Sequence, residues 1–321
     1  MTIDDGNAHN LRMPSLRIVS MLPSATEMIY ALGLGDSLVA VSHECDYPSE
    51  ARSRPKAVKN RFPTNGVKSK SIDRRVAQAL RRKESLYAID LDVLADARPD
   101  LIITQELCDV CAITGTDLAI ALHKLGISPR ILTQTPRGLK GIFSDIQELG
   151  KALGAPSEAG ILVSKLEKRL ENLKRKIPKV RRPAVYAMEW LDPPYAAGHW
   201  VPELVEIAGG REMLGNPSKD SKRISWTEVA KADPEVIVLM PCGFDTRRTL
   251  EEAKRLREIP AWRKLRAVRD GRIYAVNANA YFSRPGPRTV EGAELLAHIF
   301  FPEDIAWAGP AGAFARYAVL S

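Results

Sequence analysis

Two α/β lobes joined by a helical strut are what this 321-residue chain predicts, and three observations carry the prediction. Short β-branched apolar runs alternate with helix-periodic stretches in both halves, the pattern of βαβ units with mostly parallel sheets. A long helix-periodic stretch separates the two halves. A phrase of helix, proline, acid and apolar strand occurs in each: Arg98-Pro99-Asp100-Leu101-Ile102-Ile103 and Ala232-Asp233-Pro234-Glu235-Val236-Ile237-Val238. The expected architecture is two Rossmann-like lobes, residues 1–138 and 180–321, a helical linker over 139–179, and a ligand cleft between the lobes.

The elements follow in order. Residues 17–21 are a β-branched run that leads through Pro23-Ser24-Ala25-Thr26-Glu27 into a helical stretch at 28–34, closed by Gly33 and Gly35, and a second strand at 37–42. Residues 52–83 then read as a basic insertion, a flap or side arm, with a helix over 72–83. Alternation resumes with a helical turn at 92–97, a strand at 101–104, a helix at 117–125 ended by Gly126, and a strand at 129–133. Ile142, Ile146, Leu149, Leu153, Ala159, Leu162, Leu166, Leu170, Leu173 and Ile177 keep helical spacing through the linker, broken near Gly154-Ala155-Pro156. The second lobe offers strands at 184–189, 236–240 and 272–276 and helices at 200–209, 249–256 and 289–300, with a loosely ordered tail after Pro302.

Composition bounds the function. A hydrophobic fraction of 45% with 27% charged residues suits a packed globular chain, and no run approaches the length of a membrane-spanning helix. The first 16 residues carry Asp4 and Asp5 and no apolar core, and the four cysteines are too few and too uneven for a disulfide framework. A cytoplasmic, reducing location is the expectation, with a periplasmic or extracellular one as the alternative. The net charge of +8 is concentrated: residues 52–83 hold twelve Lys and Arg against Asp73 alone. Such a segment is a solvated arm or a surface for anions.

Loops that follow strands line the cleft of such a fold. Four are located by that rule: residues 23–27, 43–48, 105–112 and 190–200. They carry His43, Glu44 and Cys45, then Gln105, Glu106, Cys108 and Cys111, then Trp190, Tyr195, His199 and Trp200. His43 with thiolates at Cys45, Cys108 and Cys111 suits a bound metal ion such as zinc or iron. The Cys108-x-x-Cys111 pair reads first as packing, then as a metal or ligand-cobalt contact, then as a redox dithiol. Pro193 and Pro194 stiffen the turn that presents Tyr195, and Tyr281, Phe282 and Arg284 follow the last strand, so aromatic surface is available for a large planar ligand. Trp226 adds to the same mouth. No phosphate loop, dinucleotide fingerprint or nucleophile elbow occurs, so an enzymatic reading has no motif to stand on.

The stretches Arg17-Ile18-Val19-Ser20 with Pro23 to Glu27, Asp46-Tyr47-Pro48, Arg98 to Ile103, Asp192-Pro193-Pro194-Tyr195, residues 203–210 and Pro287-Arg288 run in one order along the chain. In that order they resemble the helical-backbone class (class III) of ABC-transporter substrate-binding proteins, which bind cobalamin, haem and ferric siderophores, and the cobalamin-binding branch most. The resemblance implies two lobes that move little about a ligand, cobalamin or a related metal chelate, with no enzymatic activity and a monomeric chain. It places Glu44, Tyr47, Gln105, Glu106, Tyr195, Tyr281, Phe282 and Arg284 toward the ligand, beside Trp190 and Trp200. It also implies one acid per lobe docking on a permease, here Asp92 and Glu228. The basic segment and the cysteine-bearing loops depart from the general pattern of the class. A cytoplasmic metal- or thiol-dependent enzyme is the second expectation, and nucleic-acid or partner binding through residues 52–83 the third.

Overall fold

The computed structural model describes residues 16–62, 64, 66–82, 84–106, 113 and 115–318. The first lobe is built from β1 (Ile18–Ser20), α1 (Pro23–Ala31), β2 (Leu38–Ser42), β3 (Lys56–Asn60), α2 (Ser69–Arg82), β4 (Tyr87–Ile89), α3 (Leu91–Ala97), β5 (Leu101–Gln105), α4 (Gly115–Leu125) and β6 (Arg130–Gln134). Its sheet runs β4-β3-β2-β1-β5-β6, parallel except for β3 against β4. Two helices follow, α5 (Leu139–Ala152) and α6 (Pro156–Lys176).

The second lobe continues with β7 (Ala184–Trp190), β8 (Tyr195–Ala196), β9 (Gly198–His199), α7 (Val201–Ile207), β10 (Arg211–Glu212), β11 (Asn216–Pro217), β12 (Lys222–Arg223) and α8 (Trp226–Ala232). It is completed by β13 (Val236–Leu239), α9 (Thr246–Ala253), α10 (Pro260–Lys264), α11 (Arg266–Arg269), β14 (Ile273–Val276), α12 (Ala278–Tyr281), α13 (Thr289–Phe300) and β15 (Phe314–Arg316). Its sheet runs β12-β8-β7-β13-β14-β15, with β7, β13 and β14 parallel and β10 paired to β7.

Strand periodicity assigns the core faces. Ile18, Leu101 and Ile103 turn to one cluster while Val19 and Ile102 turn to another, and in β13 Val236 and Val238 oppose Ile237 and Leu239. The shared cluster runs without a break from Leu101 and Ile103 through Ile142, Ile146 and Leu166 to Leu204, Val238 and Leu295, so the linker helices are part of the core that joins the lobes. Gly150 permits this: a Cβ there would lie 2.3 Å from the Cβ of Ala159, so only glycine allows α5 and α6 this approach. Pro156 opens α6 where its missing N–H costs no bond.

The repeated phrase is a repeated device. Arg98 and Asp233 end α3 and α8 in the left-handed region, at φ 41° and 38°. The next acid then accepts from the start of a central strand: Asp100 from the Arg17 N–H at 2.8 Å, Glu235 from the Ala184 N–H at 2.9 Å.

Two expectations fail. Residues 52–83 are not an arm: Lys56–Asn60 is β3, inside the sheet, with Ala57 and Val58 fully buried. Its Lys56 Nζ is accommodated by the carbonyl of Ala51 at 2.9 Å, so a charged residue can enter a strand whose other face is apolar. The tail is not loose: β15 pairs antiparallel with β14, Tyr317 is buried, and the indole of Trp307 donates to the Pro310 carbonyl at 3.0 Å.

Candidate ligand-binding cleft

The carboxyl ends of the strands of both lobes face a common cavity of about 570 Å³, a size ordinary for small-molecule sites. From the first lobe come Ser24 after β1, Glu44 after β2, Phe62 after β3 and Gln105 at the end of β5. From the second come Glu189 and Trp190 at the end of β7, Cys242 and Phe244 after β13, and Ser283 after α12. Trp190 and Phe244 meet edge to face at 5.4 Å and make the aromatic wall.

Helix α2 roofs the cavity. Ile72, Val76 and Leu80, spaced four apart, line it, while Lys70, Arg74, Arg81 and Arg82 are exposed. The basic segment is thus amphipathic, and its apolar stripe belongs to the site. The roof is tied to the opposite lobe: Asp73 accepts from the Tyr195 hydroxyl at 3.3 Å and from Arg223 at 2.9 Å. Ser69 donates to Glu252 from N–H and hydroxyl at 3.1 and 2.9 Å, and Arg248 donates to the carbonyls of Thr64 and Val67 at 2.8 and 3.2 Å.

Beneath the cavity a buried ion network locks the lobes together. Arg284 donates to Glu27 at 3.1 Å, to Asp46 at 2.6 Å, to the Glu44 carbonyl at 2.9 Å and to Asn279 at 3.0 Å. Arg288 adds two bonds to Glu27, at 2.8 and 2.5 Å. Glu27 and Arg284 are 4% and 5% exposed, so each depends on its partner to be charged at all.

The floor is acidic and protein-walled. Burial pushes the Glu189 carboxyl up to about 7, partly offset by hydrogen bonds from Gly198 N–H and Ser221. Cys242 opens onto the cavity yet is surrounded by protein, and desolvation followed by the charge of Glu189 raises its thiol to about 12. Desolvation also lowers His199, against the opposing pull of Asp220 3.2 Å away.

Of the residues expected to face the ligand, the cavity brings together Glu44, Gln105, Trp190, Tyr195 and Arg284. Arg284 comes with its guanidinium committed to the interlobe network. The others lie elsewhere. Trp200 is buried with its indole donating to the Phe282 carbonyl at 2.9 Å, Tyr281 packs edge to face on Trp307, and Phe282 is in the same core. Tyr47 lies outside under the Arg288 guanidinium, 3.9 Å from its ring centre, and Glu106 is exposed toward Gly115. Trp226 packs against Trp262 in the outer core of the second lobe. Trp200, Tyr281, Phe282 and Trp226 are thus aromatics that found core packing, which the position in sequence does not distinguish from cavity lining.

The metal expectation is not met at His43 and Cys45. His43 lies 3.2 Å from the Val58 carbonyl, and Cys45 is a buried thiol taking a 3.1 Å bond from Thr26, raised by desolvation to about 11. A metal-binding thiolate requires the opposite shift. Among the described residues no group of three or more His, Cys, Asp or Glu side chains is placed to hold a metal. Cys108 and Cys111 lie outside the described residues. Asp92 is exposed in the first turn of α3, and Glu228 is exposed in the first turn of α8, where it also caps the helix through Ser225.

Sequence reasoning missed Glu189, Cys242, Phe244 and the inner face of α2. The strand-end rule applied to the loop after residues 236–240 finds Cys242 and Phe244; nothing local marks α2 as a roof.

Two lobes, a core-embedded helical linker and a roofed interlobe cavity define a solute-binding protein. A family profile described as "Periplasmic binding protein" matches residues 18–280, and the chain belongs to that family. Among its relatives is the vitamin B12-binding protein of Vibrio cholerae serotype O1, 27% identical over 287 residues that cover 88% of each chain. Another is an uncharacterized ABC transporter substrate-binding lipoprotein of Bacillus subtilis, 25% identical over 94% of this chain and 86% of that one. In fold it is similar to a periplasmic heme-binding protein from Pseudomonas aeruginosa (TM-score 0.74, 20% identity, covering 96% of this chain and 100% of that one). It is similar also to the periplasmic vitamin B12-binding protein of Vibrio cholerae (TM-score 0.65, 24% identity, 89% and 97% covered).

The family consists of substrate-binding proteins and not enzymes, and its Bacillus subtilis relative is named as the substrate-binding lipoprotein of an ABC transporter. The expected cytoplasmic location is overturned by the same membership, which places the chain with proteins of the periplasm or cell exterior. The expectation rests on residues 1–16 and on four cysteines that form no disulfide framework, and neither speaks against export. Among the described residues no helix is long and apolar enough to cross a membrane.

Proposed function

We propose that this protein carries a corrinoid, cobalamin or a closely related metal chelate, in the interlobe cavity and delivers it to an ABC permease. The observation that carries this reading is the cavity itself, with Trp190 and Phe244 as an aromatic wall, Ile72, Val76 and Leu80 as an apolar roof, and a polar floor beneath. Such a site suits a large ligand with an apolar face and hydrogen-bonding edges. Relatives named as vitamin B12-binding proteins support the choice of ligand. The two-lobe frame is tied by buried ion pairs and a shared core, so binding proceeds with little lobe movement. Docking uses Asp92 and Glu228, exposed acids in the first turns of the two equivalent helices α3 and α8. Calorimetric titration with cobalamin tests the reading: saturable one-to-one binding is expected, and absence of saturation contradicts it.

A further inference from the structure

Resting on the reading of the interlobe cavity as the ligand site, we propose that Glu44 and Glu189 select the ligand by what it presents to the floor: N–H donors, as carboxamide or ammonium groups, rather than carboxylates.

The two acids come from opposite lobes and both line the cavity. Glu189 is oriented through Oε2 by the Gly198 N–H at 3.1 Å and by the Ser221 side chain. Glu44 is bonded through its main chain, its N–H to Ser42 Oγ at 3.4 Å and its carbonyl to Arg284 at 2.9 Å; its carboxylate pairs with no cation among the described residues. The guanidinium that reaches this floor, Arg284, already satisfies Glu27, Asp46, the Glu44 carbonyl and Asn279. Arg248 is likewise held by two carbonyls and lies over the Phe244 ring at 3.6 Å, and Arg75 belongs to the roof. Among the described residues the floor therefore offers acceptors and negative charge with no free cation beside them. Cys242, which lines the same cavity, feels the field of both acids: after desolvation each raises its thiol, against a hydrogen bond with Ser283 and the charge of Arg284.

A ligand carboxylate set on this floor faces two carboxylates, and such like-charge contact weakens binding. A carboxamide N–H or an ammonium group instead gives Glu44 the partner it lacks and meets Glu189 in hydrogen-bonding geometry. The acids thus separate chelates of one size and shape by the chemistry of their rim.

The test uses two corrins that share a ring, dicyanocobinamide with carboxamide side chains and dicyanocobyrinic acid with carboxylates, titrated into the full chain at pH 8, where Glu189 is ionised. The amide form is expected to bind at least about tenfold more tightly. Glu44→Gln, on an exposed side chain without a partner, is expected to keep the fold and narrow that ratio, and adding Glu189→Gln to narrow it further. Equal or tighter binding of the acid form, or an unchanged ratio in Glu44→Gln, overturns the inference. If neither corrin binds, the corrinoid reading fails by itself and haem against its bis-amide decides: tighter binding of the bis-amide upholds the acid selection, tighter binding of haem overturns it.

Discussion

The two lobes share a frame and differ in what they show the cleft. In both, a short helix ends in a left-handed residue, a proline follows, and an acid grips the first N–H of a central parallel strand. At the cavity the likeness stops: the first lobe supplies an apolar roof helix and Glu44, the second an aromatic wall, Glu189 and Cys242. The duplicated parts hold strands in place, and the chemistry sits on loops that are not duplicated. Even the shared device is uneven, because Glu235 is 4% exposed and also paired with Arg181 and Arg266, whereas Asp100 is exposed.

The largest expected effect comes from severing the lobes. Arg284→Ala leaves Glu27 to Arg288 alone and takes from Asp46, the Glu44 carbonyl and Asn279 the donor they share; it is expected to lower stability by about 2–4 kcal/mol, read as a fall in the denaturation midpoint. A loss below about 1 kcal/mol would show that the lobes do not depend on this bridge.

Next comes the unequal pair of strand clamps. Hydrogen bonding from Arg181, with further help from Ala184 N–H and Arg266, holds the Glu235 carboxyl down at about 2, against an ordinary 4.5. Its contribution is present above about pH 4.5 and is lost as pH falls toward 2. Glu235→Gln is expected to cost about 1.5–3 kcal/mol at neutral pH and to flatten the acid limb of the stability profile, with Asp100→Asn costing less. Equal losses would erase the asymmetry.

A smaller effect concerns the roof. Asp73→Asn removes the charge pairing α2 with Arg223, a half-exposed bridge worth about 0.2–1 kcal/mol, so stability should barely change while ligand release, followed by stopped flow, speeds up. Unchanged release would mean that the roof does not gate the site. The smallest effect is chemical: Cys45 and Cys242, raised to about 11 and 12, should resist alkylation at pH 8 in a Cys108→Ser/Cys111→Ser background until the chain is denatured.

The sequence carried much of this frame because its signals are periodic or repeated. Alternating strands and helices, the break at Gly154-Ala155-Pro156 and the phrase around Pro99 and Pro234 all sit where the structure puts them. β3 was illegible because Lys56 and Lys59 flank only two apolar residues, and the charge of the segment masked a core strand. The cleft was half legible. Strand-end position points to Glu44, Gln105 and Trp190, but whether an aromatic fills the core, as Trp200 and Tyr281 do, depends on contacts made from far along the chain. The Arg284 network joins residues more than 200 apart in sequence, and no local pattern announces it.

The central claim is that the interlobe cavity holds the ligand. Its most direct test is a cobalamin titration of the native chain beside Cys242→Trp, which plugs the cavity from its floor, with circular dichroism and the denaturation midpoint as folding controls. The account predicts one-to-one binding to the native chain and none to the folded, plugged variant. Undiminished binding by that variant, or no saturable binding by the native chain, would contradict it.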